Sequence, residues 1–223
     1  MDLYQAMRSA ATVRRYRSDP IPDQVLHRIL DAARHAPSGG NLQGWRVVLV
    51  RDRALRSRLK ELYLRTWRPL HQARVAQSAS ADPGGRTRPG SSEGNHYAEH
   101  MDELPVHLLV LVEQAALMTP FPALNASHFA GGSSIYPFVQ NLLLASRAEG
   151  LGTALTMLLN NEEAEVRRLL AIPEGFALAA HVGVGWPERP HPTRLRRRPV
   201  EEFTFRDRFD GMPFLPDETV GPR

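Results

Sequence analysis

Apolar side chains recur along this chain in short, separated stretches whose spacing assigns elements one after another. Residues 2–10 predict a short helix. The turn Asp19-Pro20-Ile21-Pro22-Asp23 opens a second, with Pro22 or Asp23 in a first turn that tolerates a missing donor and favours negative charge. Val25, Ile29, Ala32, Ala33 and Ala36 then recur at helical spacing, which predicts an amphipathic helix to about His35. Pro37-Ser38-Gly39-Gly40-Asn41 breaks it. Val47–Val50 is a β-branched run and reads as a buried strand. Leu55, Leu59, Leu62 and Tyr63 mark a third helix, and Val106–Val112 a second strand. Ser133–Glu149 is apolar nearly all round, as a buried or interfacial helix is, with Arg147 in its last turn and Gly150 closing it. Asn160 or Asn161 caps a further helix, with Glu162, Glu163 and Glu165 early in it and Val166, Leu169 and Leu170 inward. Phe176–Gly185 is another strand.

Residues 76–96 interrupt this pattern. They are rich in Ser, Gly, Pro and Arg and cannot build a core, so they read as a mobile loop or lid. A linker between domains is the alternative, but the apolar pattern on either side favours one interrupted unit. The expectation is a single domain over 1–223, with a Pro- and Arg-rich C-terminal extension at 200–223. No internal repeat is visible.

Composition narrows the chemistry. With no cysteine among 223 residues, disulfide scaffolds, Cys-ligated zinc, iron–sulfur clusters and thiol nucleophiles are excluded. Lys60 is the single lysine, so Schiff-base chemistry would rest on it alone. The formal charge of +4 is too small to argue for nucleic acid. No apolar run nears the roughly 18 residues of a bilayer span, and Met1–Ala11 lacks a signal peptide's apolar core. The expectation is a cytoplasmic protein that engages neither membrane nor nucleic acid. The nine histidines are scattered, and neither HExxH, GxSxG nor a P-loop is present, so no metal is expected.

Four segments carry candidate chemistry. Thr12-Val13-Arg14-Arg15-Tyr16 sets a hydroxyl two residues from a guanidinium, though alone it reads as a connector. In Pro37-Ser38-Gly39-Gly40-Asn41-Leu42-Gln43-Gly44-Trp45, two glycines allow close backbone approach, and Ser38, Asn41 and Gln43 supply donors and acceptors. A helix stop with a tight turn explains that segment equally well. Gly150–Met157 reads first as a cap and a close-packed strand. It is no dinucleotide fingerprint, because it follows a helix instead of opening one. Arg194–Arg198 carries four arginines in five positions, either an anion site or a solvated tail.

Taken together and in this order, the segments resemble the nitroreductase-like family of FMN-dependent oxidoreductases. Ser134-Ile135-Tyr136-Pro137-Phe138-Val139-Gln140-Asn141 and the closing Gly185-Trp186-Pro187 add to the likeness, which runs from about residue 3 to 205. The resemblance implies an α+β nitroreductase-like fold with a central, mainly antiparallel sheet flanked by helices. It also implies an intertwined homodimer with two FMN sites at the interface, and NAD(P)H as co-substrate. A C2 interface would account for the apolar helix at 133–149. The reaction implied is hydride transfer through flavin N5 to a nitroaromatic, a quinone or a related small acceptor, with no catalytic side chain required in the first half-reaction. A dehalogenase or biosynthetic-oxidase relative, or a non-catalytic flavin-binding homodimer, is the alternative.

Position by position, Arg14 looks like the residue facing the flavin pyrimidine edge, where positive charge stabilises the anionic reduced ring. Thr12 looks like a phosphate ligand. The family's leading arginines fall on Ala10 and Ala11, so Arg8, Arg15 or the C-terminal run would compensate. Pro37, Ser38 and Gly39 are similar to the turn lying along the flavin or its ribityl chain, and Asn41 and Gln43 to polar positions of that motif. Leu155, Thr156 and Met157 fall on the strand over N5 and O4, and Met157 stands where some relatives carry a hydroxyl. Arg197 matches the C-terminal phosphate arginine, with Arg196 or Arg198 beside it.

Overall fold

The computed structural model describes residues 1–80, 92–117 and 129–215. The first element, α1 (Leu3–Ser9), begins at a reciprocal cap: the Asp2 carboxylate accepts from the Gln5 backbone while the Gln5 side chain accepts from the Asp2 backbone. Pro22 sits at the N-cap of α2 (Asp23–Ala33), whose buried stripe is Leu26, Ile29 and Ala33. β1 (Trp45–Val50) leads into α3 (Arg53–Ser80), followed by α4 (Ser92–His100) and β2 (Val106–Glu113). The chain continues through α5 (Tyr136–Ala148), β3 (Gly152–Thr156), α6 (Glu163–Leu169) and β4 (Phe176–Gly185). Two compact units result, Met1–Thr193 and Arg194–Arg223.

The four strands form one sheet in the order β1-β2-β4-β3, every neighbouring pair antiparallel. Alternate residues of β2 feed opposite faces. Val106, Leu108, Val110 and Val112 pack with α2 and α5, whereas Leu109 and Leu111 join Leu59, Leu62, Trp67 and Val166 of α3 and α6. A strand covered on both faces carries a continuous apolar run, which is why β2 is legible as one block. This three-layer α+β arrangement is the fold expected from the sequence.

Helix boundaries differ from expectation in three places. α3 is longer than its apolar pattern announces and contains Pro69, whose ring lies on an exposed turn. The expected loop 76–96 is helical at both ends, since α3 runs to Ser80 and α4 starts at Ser92; residues 81–91 lie outside those described. Alanine, glutamine and arginine sustain a helix once it is nucleated, so low hydrophobicity alone was a poor sign of a break. Neither Asn160 nor Asn161 caps α6. Its N-cap is Glu162, and the Asn160 amide instead donates to the Leu178 carbonyl at 2.6 Å.

α6 ends with Ala171 at φ +51°, its turn closed by Ile172 N–H donating to Arg167 at 2.9 Å. The left-handed conformation is costly for an L side chain and free for glycine. Ala171→Gly is therefore expected to stabilise the protein by about 0.5–1 kcal/mol in urea unfolding. A loss of stability of that size would show the turn to be unstrained.

Candidate functional site

Thr12 and Val13 are laid along the edge strand β3, and residues 15–17 continue along the 186–188 segment that follows β4. Val13 N–H donates to the Thr153 carbonyl at 2.9 Å, and Thr12 bridges Thr153 in parallel. A side chain at Gly152 would stand within 2.6 Å of the Val13 methyls, so only glycine allows this approach. With Val13 held against the sheet, Thr12 and Arg14 both reach one recess of about 270 Å³. Its floor is the end of β3, Ala154 to Thr156, with Met157 and Leu158. Its far wall is α3 and α4, with Tyr63, Trp67, Leu70, Arg74, Gly94 and Tyr97.

Among the described residues, neither the Arg14 guanidinium nor the Thr12 hydroxyl has a hydrogen-bond partner. Arg14 is partly buried and stands among three phenols. Burial holds Tyr63, Tyr97 and Tyr16 above the usual tyrosine range, and the Arg14 charge opposes that rise at each of them. Tyr16 donates to the Val13 carbonyl at 2.6 Å. Thr156 Oγ1 donates to the Tyr63 oxygen at 3.4 Å and accepts from Leu158 N–H at 3.3 Å. The aromatic wall continues outward, Tyr63 to Trp67 at 6.3 Å and Trp67 to His71 at 5.5 Å, the latter pair 15° from parallel. Trp67 is fixed by its Nε1–H donating to Asn95 at 3.1 Å. A positive, aromatic-walled slot of this kind suits a flat, electron-rich ring with an anionic edge.

Of the residues predicted from sequence, the structure gathers Thr12, Arg14, Leu155, Thr156 and Met157 here. Arg15 turns the other way: its Nε meets both oxygens of Glu93, at 3.2 and 3.1 Å, and ties the N-terminal segment to α4. Pro37, Ser38, Gly39, Asn41 and Gln43 form a separate turn leading into β1. Ser38 Oγ accepts from Gln43 N–H at 3.1 Å, Gly39 N–H donates to Ser134 at 2.9 Å, and Gln43 donates to the Asn41 side chain at 3.1 Å. Gly40, Asn41 and Gln43 are all left-handed, at φ +57°, +55° and +50°. β1 and β3 are opposite edges of the sheet, so three strand spacings, roughly 14 Å, lie between this turn and the slot. Arg197 and Arg198 are exposed in the second unit, where Arg197 donates to the Arg196 carbonyl at 2.9 Å.

The slot's far wall was missed from sequence. Tyr63 was legible only as a marker of the third helix and Trp67, one turn on, was not singled out, while Gly94 and Tyr97 fell at or beside the expected loop. A larger recess of about 470 Å³, around Arg51, Arg53 and Arg56, contains none of the predicted residues. Among the described residues, no three acidic or histidine side chains stand together as a metal site, and no helix is long and apolar enough to cross a membrane.

Residues 7–186 match the model of the nitroreductase family. An NADH dehydrogenase of Thermus thermophilus is 32% identical over 214 residues, covering 92% of this chain and 96% of that protein. A 5,6-dimethylbenzimidazole synthase of Rhodospirillum rubrum is 29% identical over 188 residues, covering 81% and 79%. The crystal structure of an oxidised iodotyrosine deiodinase bound to FMN and 3-iodo-L-tyrosine superposes with a TM-score of 0.68 at 26% identity, covering 91% of this chain and 99% of that one. With the match to the family model spanning most of the sequence and the sheet order just described, the chain belongs to the nitroreductase family.

Proposed function

We propose that the chain is an FMN-dependent oxidoreductase that accepts hydride from NAD(P)H and passes it to a small planar acceptor, a quinone or nitroaromatic. The observation that carries this is the unpaired Arg14 guanidinium in an aromatic-walled slot. A partly buried cation without a partner is unfavourable, and a ligand whose edge becomes anionic on reduction resolves it. The donor set fits the flavin: Arg14 for the pyrimidine edge, the Thr12 hydroxyl for a phosphate oxygen, and the end of β3 for the face of the ring. Bound there, FMN supplies two-electron hydride chemistry; the protein supplies orientation, charge and exclusion of water.

A homodimer belongs to the same proposal. One chain holds the slot and the 37–43 turn at opposite sheet edges, so a flavin touching both takes the turn from a second copy. Exposed Leu3, Tyr4 and Met7 on α1, beside an apolar groove lined by Ala6, Ala32, Leu144 and Ala148, offer a face for that copy.

The test is the visible spectrum of the purified protein with FMN, before and after anaerobic NADH or NADPH. Bound yellow flavin bleached by at least one of them is expected. Failure to bind FMN overturns the cofactor assignment. Flavin that binds but stays oxidised with both donors overturns the oxidoreductase assignment. A second reading keeps the flavin and changes the acceptor chemistry, motivated by the likeness to the deiodinase and the synthase. Two resolved one-electron steps in a redox titration would favour it.

A further inference from the structure

Resting on that reading, we propose that Tyr63 is the proton donor to the acceptor in the second half-reaction. Reducing a quinone to a hydroquinone takes one hydride and one proton. The hydride comes from the reduced flavin, and the proton must reach a carbonyl oxygen inside the slot. Three phenols stand near Arg14, and two are unsuited. Tyr16 already gives its proton to the Val13 carbonyl. Tyr97 also lines the slot, but its hydroxyl is buried without a partner and packs against β4, where a side chain on Gly183 would stand 2.6 Å away.

Tyr63 differs from both. It lines the slot with its oxygen partnered there: it is only 4% exposed, and its oxygen meets Thr156 Oγ1 at 3.4 Å, at the end of the strand that carries Leu155 and just before Met157. That bond uses a lone pair of Tyr63 and leaves its O–H free to donate. As the O–H bond breaks and the acceptor's O–H bond forms, the phenolate left behind lies in the field of Arg14 and Arg74. It regains a proton from water once the product leaves, so protons and electrons balance. The remaining groups facing Tyr63 are the Tyr97 ring at 6.0 Å and the neutral ring of His181 at 6.4 Å, neither of which competes for the proton. Burial also keeps the phenol neutral beyond the ordinary tyrosine range, so the donor stays loaded.

The test follows reoxidation of the pre-reduced holoenzyme by a benzoquinone in stopped flow. In the wild type the rate is expected to stay level between pH 7 and 9 and to carry a solvent isotope effect. A rate falling about tenfold per pH unit means that the proton comes from bulk water, and overturns the proposal without any variant. Tyr63→Phe keeps the ring in the core and removes only the hydroxyl. It is expected to retain FMN, reoxidise 100-fold or more slowly, and lose the isotope effect. It is also expected to bind a redox-inert aromatic aldehyde, read by perturbation of the flavin spectrum, at least fivefold more weakly. Reoxidation and binding equal to wild type would overturn the role of Tyr63. A wild type that never binds or bleaches FMN would instead overturn the function on which it rests.

Discussion

Arg14→Ala is expected to leave a folded protein whose bound FMN is harder to reduce. The guanidinium forms no internal bond among the described residues, so its removal orphans no partner and leaves the core intact. On the proposed binding mode, what disappears is a positive charge at the ring edge that becomes anionic on reduction. A charge-assisted hydrogen bond in such a site contributes about 1.5–3 kcal/mol. For a two-electron couple that corresponds to a potential lowered by roughly 30–60 mV. Bleaching by NAD(P)H should slow by about 10–100-fold if the loss is felt in the transition state. Arg15→Ala supplies the contrast one residue away. Its guanidinium is engaged by Glu93 at a partly exposed site, so the variant should lose at most about 1 kcal/mol of stability and keep the flavin potential. Equal effects from the two arginines, on potential and on bleaching, would show that the slot is not where the pyrimidine edge lies.

The difference between these neighbours also shows how far sequence reached. The alternation that sends Thr12 and Arg14 one way and Val13 the other is a strand-like local property, so a short motif exposes it. From sequence, Arg15 is a candidate to replace the phosphate-binding arginines that the family carries where this chain has Ala10 and Ala11. Its actual partner, Glu93, lies 78 residues on, in a stretch whose composition suggested no structure. The strands were legible because both faces of β2 and β4 are covered and their apolar runs are continuous. The wall formed by Tyr63, Trp67 and Tyr97 was not, because aromatic residues at helical spacing look alike whether they close a core or line a slot. Only the distance between α3 and β3 decides between these, and that distance is tertiary. The turn at 37–43 was visible as a polar, glycine-rich motif, but its separation from the slot depends on strand order, which spacing along the chain does not encode.

His107 and His181, also read from sequence as scattered, give the largest expected effect of pH. The β2–β4 register sets Leu109 opposite His181 and His107 opposite Gly183, so the two imidazoles are diagonal neighbours. Both are fully buried. His107 Nε2–H donates to the Met101 carbonyl at 2.7 Å, which leaves its Nδ1 to accept from His181 Nε2–H at 2.9 Å; the buried Nδ1 of His181 then has no partner. Burial pushes His107 down to about 4, with the Arg56 charge adding to the fall, while the bond to Met101 and the Asp102 carboxylate oppose it. Burial and the neighbouring His107 push His181 well below its ordinary value. Above about pH 7.5 neither the folded nor the unfolded chain protonates these rings appreciably, and stability is complete. As pH falls from there towards 4, the unfolded chain takes up protons that the folded pair refuses. Below about pH 6.5 each histidine withdraws about 1.4 kcal/mol per pH unit, or roughly 4 kcal/mol for the pair by pH 5. Against a total of about 5–15 kcal/mol for a typical domain, that loss is large. Urea unfolding between pH 7.5 and 5 should show it, with an uptake of about two protons on unfolding. His191 and His96 are also lowered, mainly by burial, and add in the same sense; the His96→Gln, His191→Gln double variant should keep most of the dependence. His181 pairs with Thr156 across β4 and β3, so loss of the pair's packing reaches the floor of the slot, and FMN should be released over the same pH interval. Stability that stays level from pH 7 to 5 would mean that the two rings accept protons in the folded state, through a local opening of β4.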